Sequence, residues 1–138
     1  MYDPAIAQPM REELTEVGFK ELLTPDSVDK ELKTFEGTAL VFVNSVCGCA
    51  AGGARPALRM AVAKASKKPE KLLTVFAGME AEATQRARSY FVGYRPSSPM
   101  MALMKDGEVV FAIERHNIEG QMPDAIARSL MAAFEEYC

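Results

Sequence analysis

The N-terminal part of the chain contains two segments whose apolar residues recur at the spacing of a helix. The first predicted helix covers residues 4–17, and a glycine follows it as a stop signal. Its apolar stripe consists of Ile6, Met10, Leu14 and Val17. The second helix begins after Thr24, an N-cap residue followed by Pro25 at the first helical position, and ends at Gly37. We therefore expect residues 1–37 to form a helical N-terminal extension.

Short and nearly continuous apolar runs follow this extension and alternate with further helical segments. Runs of this kind are typical of strands that are buried on both faces. The predicted strands cover residues 38–44, 72–76, 100–104 and 108–113. The dipeptide Asp106-Gly107 lies between the last two runs and favours a tight antiparallel hairpin. The predicted helices cover residues 50–65, residues 80–91, and a last segment from Met122 or Pro123 to Tyr137.

The order of these elements after the N-terminal helices is β-α-β-α-β-β-α. Alternating strands and helices require a central sheet that is covered on both faces. The first connections impose parallel pairing, whereas the hairpin imposes an antiparallel edge. This arrangement is typical of a thioredoxin-like α/β fold with a mixed sheet of about four strands. We expect one domain over residues 1–138, with the extension at 1–37 and the core at 38–138, because no repeat or linker divides the chain.

Composition and charge narrow the possible functions. The 138 residues are 49% apolar and 25% charged, and a chain of this length buries roughly two-thirds of its surface, so cysteines are not needed as structural staples. A net charge of -3 without a basic tract argues against nucleic acid as a partner. No apolar run approaches the ~20 residues of a membrane span, and the N-terminus does not resemble a secretory signal. We therefore expect a cytoplasmic protein with no membrane partner.

The strongest chemical signal is the cysteine pair Cys47-Gly48-Cys49, which lies between the strand ending near Asn44 and the next helix. The first backbone N–H groups of a helix have no intrahelical partner and carry partial positive charge. A thiolate at that position is stabilised, and its pKa falls below the free value of about 8.5. We therefore predict that Cys47 is the nucleophile and that Cys49 is the second, resolving thiol.

The one-residue spacer restricts how the pair can bond. Within a regular helix, residues two apart point in different directions, so a Cys47–Cys49 bridge must form in the turn, with Gly48 supplying unusual backbone angles. Such a strained bridge is easily reduced, which favours exchange and isomerisation. A metal site is an alternative, because paired thiolates suit Zn²⁺ or Cu(I), but only His116 and Cys138 are available as further ligands. Two inert buried thiols are the third interpretation.

Other residues are candidates for substrate binding. Ser98-Pro99 directly precedes a strand, where a thioredoxin-like fold places a cis-proline opposite the cysteines and leaves the backbone of the preceding residue free to pair with a substrate. Arg55 and Arg95 are candidates for bidentate pairing with a carboxylate on a small-molecule thiol. His116 is interpreted as an exposed turn residue.

Several segments together match a known family signature. They are residues 44–52 (NSVCGCAAG), 54–57 (ARPA), 75–78 (VFAG), 96–99 (PSSP), 115–116 (RH), 118–120 (IEG), 132–134 (AAF) and Cys138. In these segments the sequence resembles the bacilliredoxins nearly from end to end. The resemblance implies a thioredoxin-like cytosolic protein that removes bacillithiol from mixed disulfides on other proteins. It also implies that Cys47 attacks, that Cys49 is the second thiol and that Pro99 is the active-site proline. Gly53 departs from the bulkier residue expected in some relatives.

The resulting hypothesis is a thiol–disulfide oxidoreductase that reduces protein–bacillithiol mixed disulfides. It requires no bound cofactor, uses bacillithiol as a co-substrate, and has bacillithiolated or disulfide-containing proteins as partners. The first alternative is a protein disulfide isomerase that uses the same cysteines. The second is a non-enzymatic module in which the cysteine pair binds a metal or senses oxidation.

Overall fold

The computed structural model describes residues 1–138 and contains five strands and six α-helices. The strands are β1 (Lys20–Glu21), β2 (Thr38–Asn44), β3 (Lys71–Phe76), β4 (Met100–Lys105) and β5 (Glu108–Ile113). The helices are α1 (Pro4–Thr15), α2 (Pro25–Leu32), α3 (Arg55–Lys64), α4 (Ala81–Ser89), α5 (Arg115–Ile118) and α6 (Pro123–Tyr137). A π-helical turn, Ala50–Ala54, leads into α3.

The sheet is mixed, as predicted, but it has one strand more than the sequence indicated. Its order is β1-β3-β2-β4-β5. β3 is parallel to both β1 and β2, whereas β4 is antiparallel to β2 and β5. The additional strand lies within the predicted helical extension, where Lys20–Glu21 forms the edge strand β1 between α1 and α2. A strand of two polar residues carries no hydrophobic periodicity from which it could be predicted.

Separate apolar cores cover the two faces of the sheet. α1, α3 and α6 contribute to one core, while α2 and α4 contribute to the other. Successive residues of β2 alternate between them, with Phe42 in the first core and Val41 and Val43 in the second. This two-sided burial explains why the run is apolar at almost every position. None of the helices is long and apolar enough to cross a membrane.

The turn residues set the boundaries of the elements around β2 and β4. Thr24 caps α2, since its hydroxyl accepts from the Ser27 backbone N–H at 3.1 Å. α2 ends at Leu32 and not at Gly37, and the Gly37 N–H donates to the Asp106 carboxylate at 2.8 Å, which places Gly37 at the hairpin end of the sheet. The predicted Asp-Gly hairpin is confirmed, with φ of 51° at Asp106 and 85° at Gly107.

The predicted helix after the cysteines is confirmed but is not uniform. The chain becomes helical at Gly48, widens into the π-helical turn and continues as α3. Pro56 has no N–H to donate within the helix, and the N–H of the preceding Arg55 bonds to the Ala50 carbonyl five residues back. The helix is therefore irregular just before Pro56, where it forms the widened turn. Gly53 is buried in this turn and faces Ile118.

Candidate active site

The two cysteines lie side by side at the carboxyl end of β2. Both are free thiols, both are partly exposed, and their Sγ atoms are 2.9 Å apart. This approach is possible because Cys47 precedes the helix and only Cys49 lies within its first turn. Gly48 is exposed and has no positive φ, so the unusual backbone angle predicted for it is not present in the dithiol form.

Opposing effects act on the pKa of the Cys47 thiol. Burial raises its pKa. Hydrogen bonds to the sulfur from the Cys49 thiol and the Ser45 hydroxyl lower the pKa. The Ala50 backbone N–H and the charge of Arg115 lower it further, and the net pKa lies below that of an ordinary thiol. Cys47 is therefore the sulfur that ionises first.

The Cys49 thiol is shifted in the opposite direction. Burial raises its pKa, and the hydrogen bond and charge of Cys47 raise it further. Its side chain packs against the core formed by α1, α3 and α6. Cys49 therefore remains protonated and donates to the neighbouring thiolate, as the division into a nucleophile and a second thiol requires.

Arg115 is a site residue that the sequence analysis did not single out. Its Nη1 donates to the Ser98 carbonyl at 3.2 Å, and its backbone N–H donates to the Ser97 hydroxyl at 2.8 Å. Its charge acts on both cysteines and lowers the pKa of each. The signal that locates it is the hairpin register, since pairing of Met101 with Ile113 brings the residues after β5 beside those before β4.

The peptide bond between Ser98 and Pro99 is cis, as predicted. Pro99 is buried and Ser98 is partly exposed. The Ser98 carbonyl is occupied by Arg115, whereas no group of the chain accepts its N–H. The Ser98 N–H is thus unpaired within the chain, but the Ser98 carbonyl is not. The backbone of Ser98 is therefore less free to pair with a substrate than predicted.

Arg55 does not lie where the prediction of a substrate-binding role requires. Its side chain is 1% exposed. Its Nε donates to the Glu13 carboxylate at 2.9 Å, and its Nη1 donates to the Asn44 side-chain oxygen at 2.9 Å and the Ser45 carbonyl at 2.7 Å. The guanidinium therefore holds the end of β2 against α1 and is inaccessible to a substrate carboxylate.

Arg95 is exposed and lines an open groove of about 760 Å³, which we call the arginine groove. The groove is bounded by residues 93–98 and by Glu114, Arg115, His116 and Glu119. Arg95 makes no ion pair or hydrogen bond with the rest of the chain. His116 is exposed, as predicted, and belongs to the same groove.

The metal-binding alternative finds no further ligand beside the cysteines. The chain contains no group of three His, Cys, Asp or Glu side chains arranged to hold a metal ion. Cys138 is exposed and hydrogen-bonds to Thr38, which begins the strand that ends near Cys47. It therefore lies at the opposite end of the sheet from the cysteine pair.

Solved thioredoxins share this architecture. A mutant thioredoxin from Halobacterium salinarum aligns with a TM-score of 0.53 and 19% identity, over 85% of this chain and 88% of that chain. A thioredoxin from Malassezia sympodialis aligns with a TM-score of 0.54 and 16% identity, over 87% and 90% of the respective chains. The fold is therefore thioredoxin-like, as predicted. Together with the cysteine pair, it defines a thiol–disulfide oxidoreductase.

The sequence comparisons identify the family within that class. The family model described as disulphide isomerase matches residues 2–138. A bacilliredoxin from Geobacillus kaustophilus is 53% identical over 99% of this chain and 94% of its own length. A bacilliredoxin from Salinibacter ruber is 51% identical over 99% of this chain and 81% of its own length. The chain belongs to this family of bacilliredoxins, which confirms the resemblance seen in the sequence.

Proposed function

We propose that this protein reduces mixed disulfides between proteins and bacillithiol, with Cys47 as the nucleophile and Cys49 as the second thiol. The observation that carries the proposal is the 2.9 Å approach of two free thiols whose pKa values are displaced in opposite directions. The names of the bacilliredoxin relatives support bacillithiol as the small-molecule thiol.

The first step is an exchange at the Cys47 sulfur. The thiolate donates an electron pair to the bacillithiol sulfur of the mixed disulfide and forms a new S–S bond. The original S–S bond breaks, and the substrate protein leaves as a thiolate that takes a proton from water. Because the pKa of Cys47 is lowered, a larger fraction of it is thiolate than of an ordinary cysteine at the same pH, which favours attack without a separate base.

The second step releases bacillithiol. Cys49 loses its proton to solvent and attacks the Cys47 sulfur, so that a Cys47–Cys49 disulfide forms and bacillithiol leaves as a thiolate. The cysteine pair has then supplied two electrons to the substrate, and two molecules of a low-molecular-weight thiol, or one dithiol, return them. Each step uses only sulfur chemistry, so the proposed reaction needs no bound cofactor.

Disulfide isomerisation is the second candidate, because the matching family model is described as disulphide isomerase. The same Cys47 thiolate would then attack a disulfide within a protein, and the intermediate would join Cys47 to a protein cysteine. Both activities start from the cysteine pair as thiols, and a reducing compartment keeps it in that form, so we also propose a cytoplasmic location.

Trapping of the intermediate distinguishes these activities. The Cys49→Ser variant, mixed with a bacillithiolated protein, is expected to retain an adduct of bacillithiol mass on Cys47, because the second thiol is missing. The matched Cys47→Ser variant is expected to retain none. Intact-mass spectrometry measures both, and a protein-sized adduct on Cys49→Ser would favour the isomerase. Equal adducts on the two variants would contradict the assigned roles.

The non-enzymatic alternative is tested by metal analysis of the protein purified without chelator. Because the structure brings no third ligand to Cys47 and Cys49, we expect far less than one zinc or copper ion per chain. A stoichiometric ion that disappears in the Cys47→Ser variant would support the metal-binding module instead.

A further inference from the structure

The arginine groove has the position of a subsite for the small-molecule half of the substrate, and it contains an arginine without an ion pair. We propose that it binds a carboxylate of the low-molecular-weight thiol, with Arg95 as the principal partner. Arg115 belongs both to this groove and to the surroundings of the reacting sulfur. This inference rests on the proposed function and adds the residues that select the small-molecule thiol.

The groove adjoins the cysteines through residues that belong to both. Arg115 lines the groove, and its charge acts on the sulfurs of Cys47 and Cys49. Ser98 lines it as well and is bonded directly to the active-site proline Pro99. Pairing of Val43 with Met100 also brings the residues after β2 beside those before β4, so Cys47 and the groove lie at the same edge of the sheet.

The charged side chains of the groove differ in their partners. Glu114 caps α5 through its backbone, since its carbonyl accepts from the Asn117 N–H at 2.9 Å and its own N–H donates to the Asn117 side-chain oxygen at 3.3 Å. The Glu119 carboxylate accepts from Arg115 Nε at 3.3 Å. Two arginines and two glutamates line the groove, and Arg95 is the arginine that makes no ion pair, so its guanidinium donors are unused. A planar guanidinium with unused donors matches the two oxygens of a carboxylate.

The size and lining of the groove favour a small polar molecule over an apolar side chain. Its volume of about 760 Å³ lies within the range typical of sites for small ligands. Only one of its ten lining residues is hydrophobic, and the hydroxyls of Ser97 and Ser98 belong to the remainder. These features favour a thiol that carries a carboxylate and other hydrogen-bonding groups.

The test uses two mixed disulfides on the same carrier protein that differ only in charge. One carries 3-mercaptopropionate and the other carries its amide, 3-mercaptopropanamide. The wild-type protein is expected to show a higher kcat/KM for the carboxylate than for the amide. In Arg95→Gln this preference is expected to fall about tenfold, since a charge-assisted bidentate pair is lost.

The matched control is Arg128→Gln on α6. Arg128 is also an exposed arginine, but it lies outside the groove and pairs with Asp124 at 3.0 Å. Its removal is expected to leave the preference unchanged. If the wild-type protein reduces both substrates and Arg95→Gln keeps the same preference, the groove does not bind the carboxylate, although the exchange chemistry stands.

A binding measurement tests the groove independently of the exchange reaction. The unreactive thioether 3-(methylthio)propionate is titrated into the reduced wild-type protein and followed by NMR. Chemical-shift changes at the amides of Gly93 and Ser97 that vanish in Arg95→Gln support the subsite, even if neither mixed disulfide is reduced and the proposed function fails. Absence of these changes in the wild-type protein would overturn the inference.

Discussion

The buried guanidinium of Arg55 donates to the backbone carbonyl of Ser45, two residues before Cys47, the proposed nucleophile. The same guanidinium also binds Asn44 and Glu13, which joins the end of β2 to α1. The Ser45 hydroxyl in turn accepts from the Cys47 backbone N–H at 3.2 Å. The position of the reactive sulfur therefore depends on a buried charge that makes no contact with substrate.

Loss of this charge is expected to destabilise the fold. Arg55→Met removes the donors of three hydrogen bonds and leaves the buried oxygens of Asn44 and Ser45 without that partner. We expect the free energy of unfolding to fall by about 3 kcal/mol, the usual cost of breaking a buried polar pair. Urea denaturation of the reduced protein, monitored by circular dichroism, measures this change.

A neighbouring arginine provides the control for this experiment. Arg59 lies one helical turn from Arg55, is partly exposed and pairs with Glu16 at 3.1 Å. Arg59→Met is expected to cost less than about 1 kcal/mol, because exposed ion pairs contribute little. Similar losses in the two variants would show that burial of Arg55 is not the source of its effect.

The main elements of the fold were predictable because their signals are local. The apolar runs of β2, β3, β4 and β5 reflect burial between the two cores, and the Asp106-Gly107 turn specifies the hairpin between β4 and β5. β1 was not predictable, since its two residues form a strand only because β3 supplies the pairing. The position of the cysteine pair between a strand and a helix was likewise visible in the local pattern.

The supporting residues were harder to predict because their roles depend on tertiary contacts. Arg55 was predicted to pair with a carboxylate of the substrate, but its partners come from α1 and β2, which the local sequence does not reveal. Arg115 reaches the cysteines only through the hairpin register. A regular hairpin from Asp106-Gly107 would misplace it by one residue, because a bulge lies between Leu103 and Met104.

The two adjacent glycines after the cysteines are expected to respond differently to substitution. Nothing lies within 4 Å of a Cβ at Gly52, whereas a Cβ at Gly53 would lie 3.3 Å from Ile118 Cγ2. Gly52→Ala is expected to raise the free energy of unfolding by about 0.5–1 kcal/mol, the usual gain in a helical segment. Gly53→Ala is expected to gain less, because Ile118 must move. Urea denaturation measures the free energy of unfolding of both variants. A larger gain in Gly53→Ala than in Gly52→Ala would contradict the close approach of Ile118 to Gly53.

The charge of Arg115 is expected to contribute to the lowered pKa of Cys47, after the hydrogen bonds from Cys49, Ser45 and Ala50. Hydrogen bonds and this charge outweigh burial and hold the pKa of Cys47 below its ordinary value, so the thiolate is lost only as pH falls through that lowered pKa. In Arg115→Gln the pKa is expected to rise, so alkylation by iodoacetamide slows at neutral pH and approaches the wild-type rate at high pH. The measurement is the rate against pH in a Cys138→Ser background, which removes the exposed third thiol.

Two further variants separate the charge of Arg115 from its structural contact. Arg115→Lys keeps a positive charge but loses the planar group that donates to the Ser98 carbonyl, and it is expected to keep a midpoint close to that of the wild type. Arg128→Gln removes an arginine remote from the cysteines and is expected to leave the midpoint unchanged. A midpoint that rises equally in Arg115→Gln and Arg115→Lys would assign the effect to the contact with Ser98. In that case Arg115 would act by positioning the loop that carries Pro99, and its charge would have no part in ionising Cys47.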